Sequence, residues 1–377
     1  MVRYLFASVL VACGSAARPA PPGDHTPPSP ALALAPAATL LDVRARGDVV
    51  AIRDHAWRQW HDLTGGQRPA WDGWVRSDIV FSAAPLAATA ELAFRPPRPI
   101  TQGGVAITAE PILYDVVLDA DAALFVRDRG LARRAAVSAL AGHVPELPTG
   151  AAALKRVWFP IRQHGLTAVP VWDEAPVRPD ADGNPPSTWA RVVAVDPSRA
   201  TIPDGETAEI AFHGRTLRAR VVPLASFYHR PLATARELRT ARAVVGERAV
   251  APGDEVALVA LHLTTKEIPE WTWATWWWHD RADAGAFAAG RPAAITGWAA
   301  SYRMDATLSG DTPCMNPWLE ARFPGGLASS CASCHQRAAL GATEFLPVPT
   351  APTPADDPYF AGKVTTDFLW SLALEAK

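Results

Sequence analysis

Cysteine is scarce in this chain, with four residues among 377, at positions 13, 314, 331 and 334. Thiols so few and so placed cannot staple a protein of this length, so a disulfide scaffold is excluded and the fold must rest on a buried apolar core. An excess of charge of one sign is missing as well. A net charge of −2 supplies no basic surface for a polyanion and argues against nucleic acid as a partner. Long apolar runs are missing too. Tyr4 to Ala12 is too short to span a bilayer and no later run reaches that length. The hydrolase signatures Gly-x-Ser-x-Gly and His-Glu-x-x-His do not occur.

Near the C-terminus stands Cys331-Ala332-Ser333-Cys334-His335. Two thiols separated by two residues, with a histidine directly after the second, match the attachment site of a covalent c-type haem. In a helix the cysteines lie about one turn apart, each able to add to one haem vinyl group, and the histidine is carried under the iron as proximal ligand. A Cys-x-x-Cys alone also suits a redox disulfide or half a zinc site. Zinc would require Cys314, Cys331, Cys334 and His335 to converge, and adjacent residues rarely reach one ion together.

The N-terminus bears on that choice. Residues 1–12 read as a secretory signal, with Arg3 ahead of the short apolar run. Leu10-Val11-Ala12-Cys13 resembles the bacterial lipoprotein box. The resemblance implies a mature chain that starts at an acylated Cys13, anchored by lipid to a membrane and facing an extracytoplasmic space. Gly14 after the cysteine leans towards the outer membrane. An ordinary signal peptide cut near Ala17 is the other reading. Haem c is normally attached after export, so an exported chain with this motif reads as a cytochrome carrying one haem per chain. Cys314 is then left single, a small buried hydrophobe or a reactive thiol.

Residues 13–38 are rich in Pro and Ala and read as an extended tether. An α+β body is expected over 39–300, β-rich and largely antiparallel behind a helical N-terminal segment, followed by a small helical haem-attachment segment over 301–377. Leu40–Leu63 and Leu131–His143 have helical patterns. Strand signals cover 156–161, 166–172, 189–195, 206–212, 217–224, 255–265 and 271–279. Val256–Leu261 is apolar without alternation and reads as buried on both faces. In the tryptophan-rich strand after it, alternation sets Trp271, Trp273, Trp277 and His279 on one face and Trp276 and Trp278 on the other. One of those faces can wall a haem pocket. Asp180, Asp182 and Asn184 read as a solvated turn, since no Glu stands at the calcium-loop offset.

Several short words of this sequence resemble those of poorly characterised bacterial exported proteins that end in a haem-attachment site. They are Ala56-Trp57-Arg58, Pro69-Ala70-Trp71-Asp72-Gly73-Trp74, Lys155-Arg156-Val157-Trp158, Phe227-Tyr228-His229, Leu261-His262, Ile268 to Thr275 and Asn316 to Phe323. The resemblance implies a c-type cytochrome-like protein and carries no substrate.

After His335 there is neither Met nor His, so a distal ligand has to come from upstream, or the sixth position holds water or stays open. His262 in its apolar strand is the first candidate, with His279 beside Asp280, His229, Met304 and Met315 behind it. The sequence therefore leads to a membrane-anchored monohaem cytochrome passing single electrons to a redox partner in the cell envelope. A haem-dependent peroxidase or oxidoreductase, or a haem sensor with an open distal site, is the alternative.

Overall fold

An apolar run without alternation needs cover on both faces. In the computed structural model Val256–Leu261 duly lies in the middle of the main sheet. Described residues are 32–96, 100–102, 105–107, 110–174, 183–342 and 351–377. The expected signal segment, Cys13 and most of the tether lie outside them, as do Asp180, Asp182 and residues 343–350.

The central strand, Glu255–Thr265, pairs antiparallel with Ala152–Ile161 on one side. On the other it pairs with the tryptophan strand Thr272–Trp278 and, near its start, with His229–Pro231. Leu113–Leu118 and Val75–Arg76 extend the sheet beyond Ala152–Ile161, and Tyr302–Thr307 lies beyond the tryptophan strand, making seven strands. A four-stranded sheet is built from Thr167–Val171, Arg191–Asp196, Arg215–Pro223 and Thr207–Phe212, in that order, with its middle pair parallel. The body is α+β and largely antiparallel, as the strand signals indicated.

The helices depart from expectation at their ends. Leu40–Leu63 is two helices, Ala37–Arg46 and Val49–Thr64. Gly47 closes the first at φ 61°, and the Asp48 carboxylate caps the second by accepting the Ala51 N–H at 3.0 Å. Of Leu131–His143 only Arg134–Ser138 is helical. The longer helix there, Ala120–Asp128, starts earlier, capped by Asp119. Ala235–Val245 is opened by a capping box of Thr234 and Glu237, a signal present in the sequence.

Register decides which side chains share a face, because directly opposed residues point the same way. Asp115, Arg156, Leu261, Trp276 and Met304 form one row. Trp276 in that row stacks on Trp60 at 5.0 Å, so this face is covered by the Val49–Thr64 helix. Within the same row Arg156 is paired with Asp115, whose carboxylate also accepts the Trp158 indole N–H at 2.9 Å, so the buried charges are satisfied. Val116, Lys155, His262, Thr275 and Asp305 form the neighbouring row on the opposite face. That face receives the cysteine motif.

Candidate functional site

Cys331–Gln336 is a short helix laid across the tryptophan strand. Two anchors hold the segment that leads into it. Ser333 donates through Oγ to the Gly310 carbonyl at 2.5 Å. Asn316, fully buried, donates through Nδ2 to Thr275 Oγ1 at 2.7 Å and to the Trp276 carbonyl at 3.0 Å, while its Oδ1 accepts the Trp318 N–H at 3.0 Å. Asn316 thus ties the segment to two residues of the tryptophan strand.

The motif histidine meets the sheet histidine. The His335 ring lies 5.3 Å from that of His262 and 4.6 Å from Trp273, and His262 stacks on Trp273 at 5.8 Å. Trp273 therefore packs against both imidazoles, though no tryptophan of its strand lines the cavity described below. His335 Nδ1 is 2.8 Å from the Phe368 carbonyl. A carbonyl only accepts, so Nδ1 carries the proton and Nε2 keeps its lone pair, the arrangement in which an imidazole ligates a metal.

The carbonyl itself is placed at a cost. Asp367 and Phe368 both have positive φ, 45° and 65°, a region that L-residues avoid. Asp367 is fixed there by the Lys266 ammonium at 2.7 Å and by the Leu147 N–H at 2.8 Å.

His262 is buried, its Nε2 has no partner and its Nδ1 is 3.8 Å from Cys331 Sγ. Cys331 donates its S–H to the Cys314 carbonyl at 3.1 Å. The sulfur can therefore accept from His262 Nδ1–H, leaving Nε2 unprotonated here too. Burial holds both imidazoles neutral, His262 with a pKa well below the usual range and His335 at about 4.

His262, Cys334 and His335 line one cavity of about 340 Å³, within the span of roughly 300–1,000 Å³ typical of ligand pockets. Ile112, Leu319, Phe323 and Leu369 supply apolar wall, Arg95, Lys155 and Arg322 bring cations, and Glu320 and Glu375 bring carboxyls, Glu375 being paired with Arg95. Lys155 lies 4.4 Å over the Tyr114 ring, and Arg322 donates to the Glu110 carbonyl at 2.7 Å. Burial lowers the pKa of Lys155 and raises that of Glu320, whose carboxylate accepts the Asn316 N–H at 2.6 Å.

Imidazole nitrogens beside an apolar wall are what a metal-bearing ring requires, while the carboxyls of Glu320 and Glu375 offset part of the positive charge. Two features work against a simple fit. Cys331 faces Cys314 and His262 instead of the cavity, and the two imidazoles stand closer than a metal between their nitrogens allows, so seating one there requires them to part. Among the described residues no group of three or more His, Cys, Asp or Glu side chains is gathered to hold a bare metal ion.

The other candidates lie elsewhere. Met304 is on the Trp60 face of the sheet, away from His335. Met315 is buried beside Asp305, to whose carboxylate its N–H donates at 3.3 Å. His229 pairs with Glu255, and His279 is enclosed by Arg191, Asp173 and Asp280. Sequence reasoning missed the Phe368 carbonyl, which carries no side-chain signal. It also missed Lys155, Glu320 and Arg322, which stand inside words already noted for resemblance. No family model matches the chain. No curated protein and no solved structure matches it either. Among the described residues no helix is long and apolar enough to cross a membrane.

Proposed function

We propose that the protein is a c-type cytochrome-like carrier of one covalent haem, bound through Cys331 and Cys334, with His335 as proximal and His262 as distal ligand. The observation that carries this reading is the pair of neutral imidazoles, His262 buried and His335 half-buried, whose rings meet beside the Cys-x-x-Cys motif, each left with an uncommitted Nε2. When bound, the haem supplies an iron that cycles between ferrous and ferric states and so passes single electrons. The chain's own residues do the rest. Phe368 fixes the His335 tautomer, and Trp273 packs against both rings and limits their tilt. Lys155 and Arg322 would balance haem carboxylates, Arg95 being paired with Glu375, and the apolar wall excludes water. Two histidine ligands favour a lower potential than a His/Met pair.

Acylation of Cys13 after removal of residues 1–12 would anchor the protein to the outer membrane. Its partner in exchange is a redox protein of the cell envelope.

A second reading draws on Lys155 and Glu320, which bring an amine and a carboxyl to the cavity wall as an acid and a base. With an open iron position they would serve peroxidase-like chemistry or ligand sensing. The absorption spectrum separates the two. Wild-type protein matured with haem is expected to be six-coordinate and low-spin, and His262→Ala five-coordinate and high-spin. A high-spin wild type that His262→Ala leaves unchanged removes His262 from the iron and favours the second reading.

A further inference from the structure

Cys314 is the thiol that haem attachment leaves over, and it has a close neighbour. Its Sγ lies 3.7 Å from Cys331 Sγ, and both residues are buried. The two backbones are already laced together. Cys314 N–H donates to the Ser329 carbonyl at 3.1 Å and Cys331 N–H to the Cys314 carbonyl at 3.0 Å, within a parallel bridge of Cys314 and Ser330. A bonded pair of sulfurs sits about 2.05 Å apart, a gap that side-chain rotation can close from here. Cys334, the other half of the motif, faces the cavity instead.

We propose that Cys314 and Cys331 form a disulfide in the exported, haem-free chain, and that this bond reversibly withholds Cys331 from thioether formation. The withholding rests on the haem reading; the disulfide does not.

The chemistry closes with a disulfide-bearing oxidant of an oxidising compartment. One cysteine, as thiolate, attacks the oxidant's disulfide and expels a thiolate. The second cysteine attacks the mixed disulfide and expels the other. Cys314 and Cys331 together lose two protons and two electrons, and the oxidant becomes a dithiol. A dithiol reductant reverses both exchanges and returns the two thiols. Only the thiol form of Cys331 adds across a vinyl double bond, sulfur to one carbon and hydrogen to the other, with nothing leaving.

Both thiols are buried, out of reach of an attacking or oxidising partner, which makes them slow to exchange once packed. The bridge therefore closes while the segment is still accessible, the same interval in which a haem would be attached. Packing then shelters whichever product has formed.

The test uses full-length protein exported without haem, alkylated before and after reduction and mapped by mass spectrometry. The expected result is a Cys314 peptide linked to a Cys331 peptide, with Cys334 alkylated without reduction. A Cys331–Cys334 link, or alkylation of all three without reduction, overturns the proposal. A second measurement follows covalent haem during co-expression with the attachment machinery, with and without a thiol reductant. Wild type is expected to need reductant for full loading, and Cys314→Ser to load at least several-fold better without it. Equal dependence on reductant in the two proteins overturns the withholding role. A mapped Cys314–Cys331 bridge in a chain that takes up no haem in either form sinks the haem reading and leaves the disulfide standing.

Discussion

At the scale of single residues, the site depends on polar groups held where water does not reach them. Asp305 shares a sheet face with His262 and Thr275, and its carboxylate accepts the Met315 and Ala306 N–H groups. Burial nonetheless raises its pKa to about 6. A carboxyl whose folded pKa lies above its unfolded one stabilises the fold at low pH, and that contribution is lost as pH rises from about 4 through 6. Asp305→Asn removes the titrating charge but keeps only one acceptor oxygen for donors that use two, so it loses a hydrogen bond at every pH. Relative to wild type it is expected to be about 1–2 kcal/mol more stable at pH 7.5 than at pH 4, a difference that urea unfolding at the two pH values measures. The imidazoles run the other way, since burial keeps both in the form that can offer a lone pair at neutral pH.

At the scale of elements, the site is one helix laid on one strand, with Asn316 as the tie between its leading segment and the sheet. Asn316→Ala takes a donor from the Thr275 hydroxyl and from the Trp276 carbonyl, leaving the hydroxyl only its bond to the Leu261 carbonyl at 2.8 Å. A loss of about 2–3 kcal/mol in unfolding free energy is expected, with a larger effect on protease resistance near residues 309–330 than elsewhere. Unchanged stability would show that the tie is dispensable.

The same elements show how far the sequence could be read. Val256–Leu261 lacks alternation, and burial on both faces followed directly. The tryptophan strand alternates, and Trp273 shares the His262 face that alternation allowed without lining the cavity, whereas Trp271, at φ 63°, stands outside the strand and its pattern. Gly47-Asp48 marks a helix end and a new cap, yet apolar periodicity runs across it and masked the break. Pairing partners were hidden for another reason. The meeting of His262 with His335, and of Cys314 with Cys331, depends on strand register and on contacts between residues far apart in sequence, which local pattern does not encode. The Phe368 carbonyl could not be seen at all, because any residue has one.

At the scale of the whole molecule, the two sheets and their helices make a body much larger than the motif, and the motif borrows its second histidine from that body. His262 lies in the central strand and Tyr302–Thr307 at a sheet edge, so the C-terminal region and the β-rich body share one framework. The electron-transfer proposal therefore makes the body part of the haem site. The proposed anchor has its own test. Cys13→Ala is expected to move the protein from the membrane fraction to the soluble extract on cell fractionation, and continued membrane retention would contradict acylation at that residue.

The most direct measurement is the intact mass of protein matured with the haem-attachment machinery, read beside its visible spectrum. The account requires a red protein heavier than its polypeptide by one haem, and a haem that Cys331→Ala combined with Cys334→Ala no longer retains through denaturation. A colourless product at the mass of the polypeptide alone would contradict it.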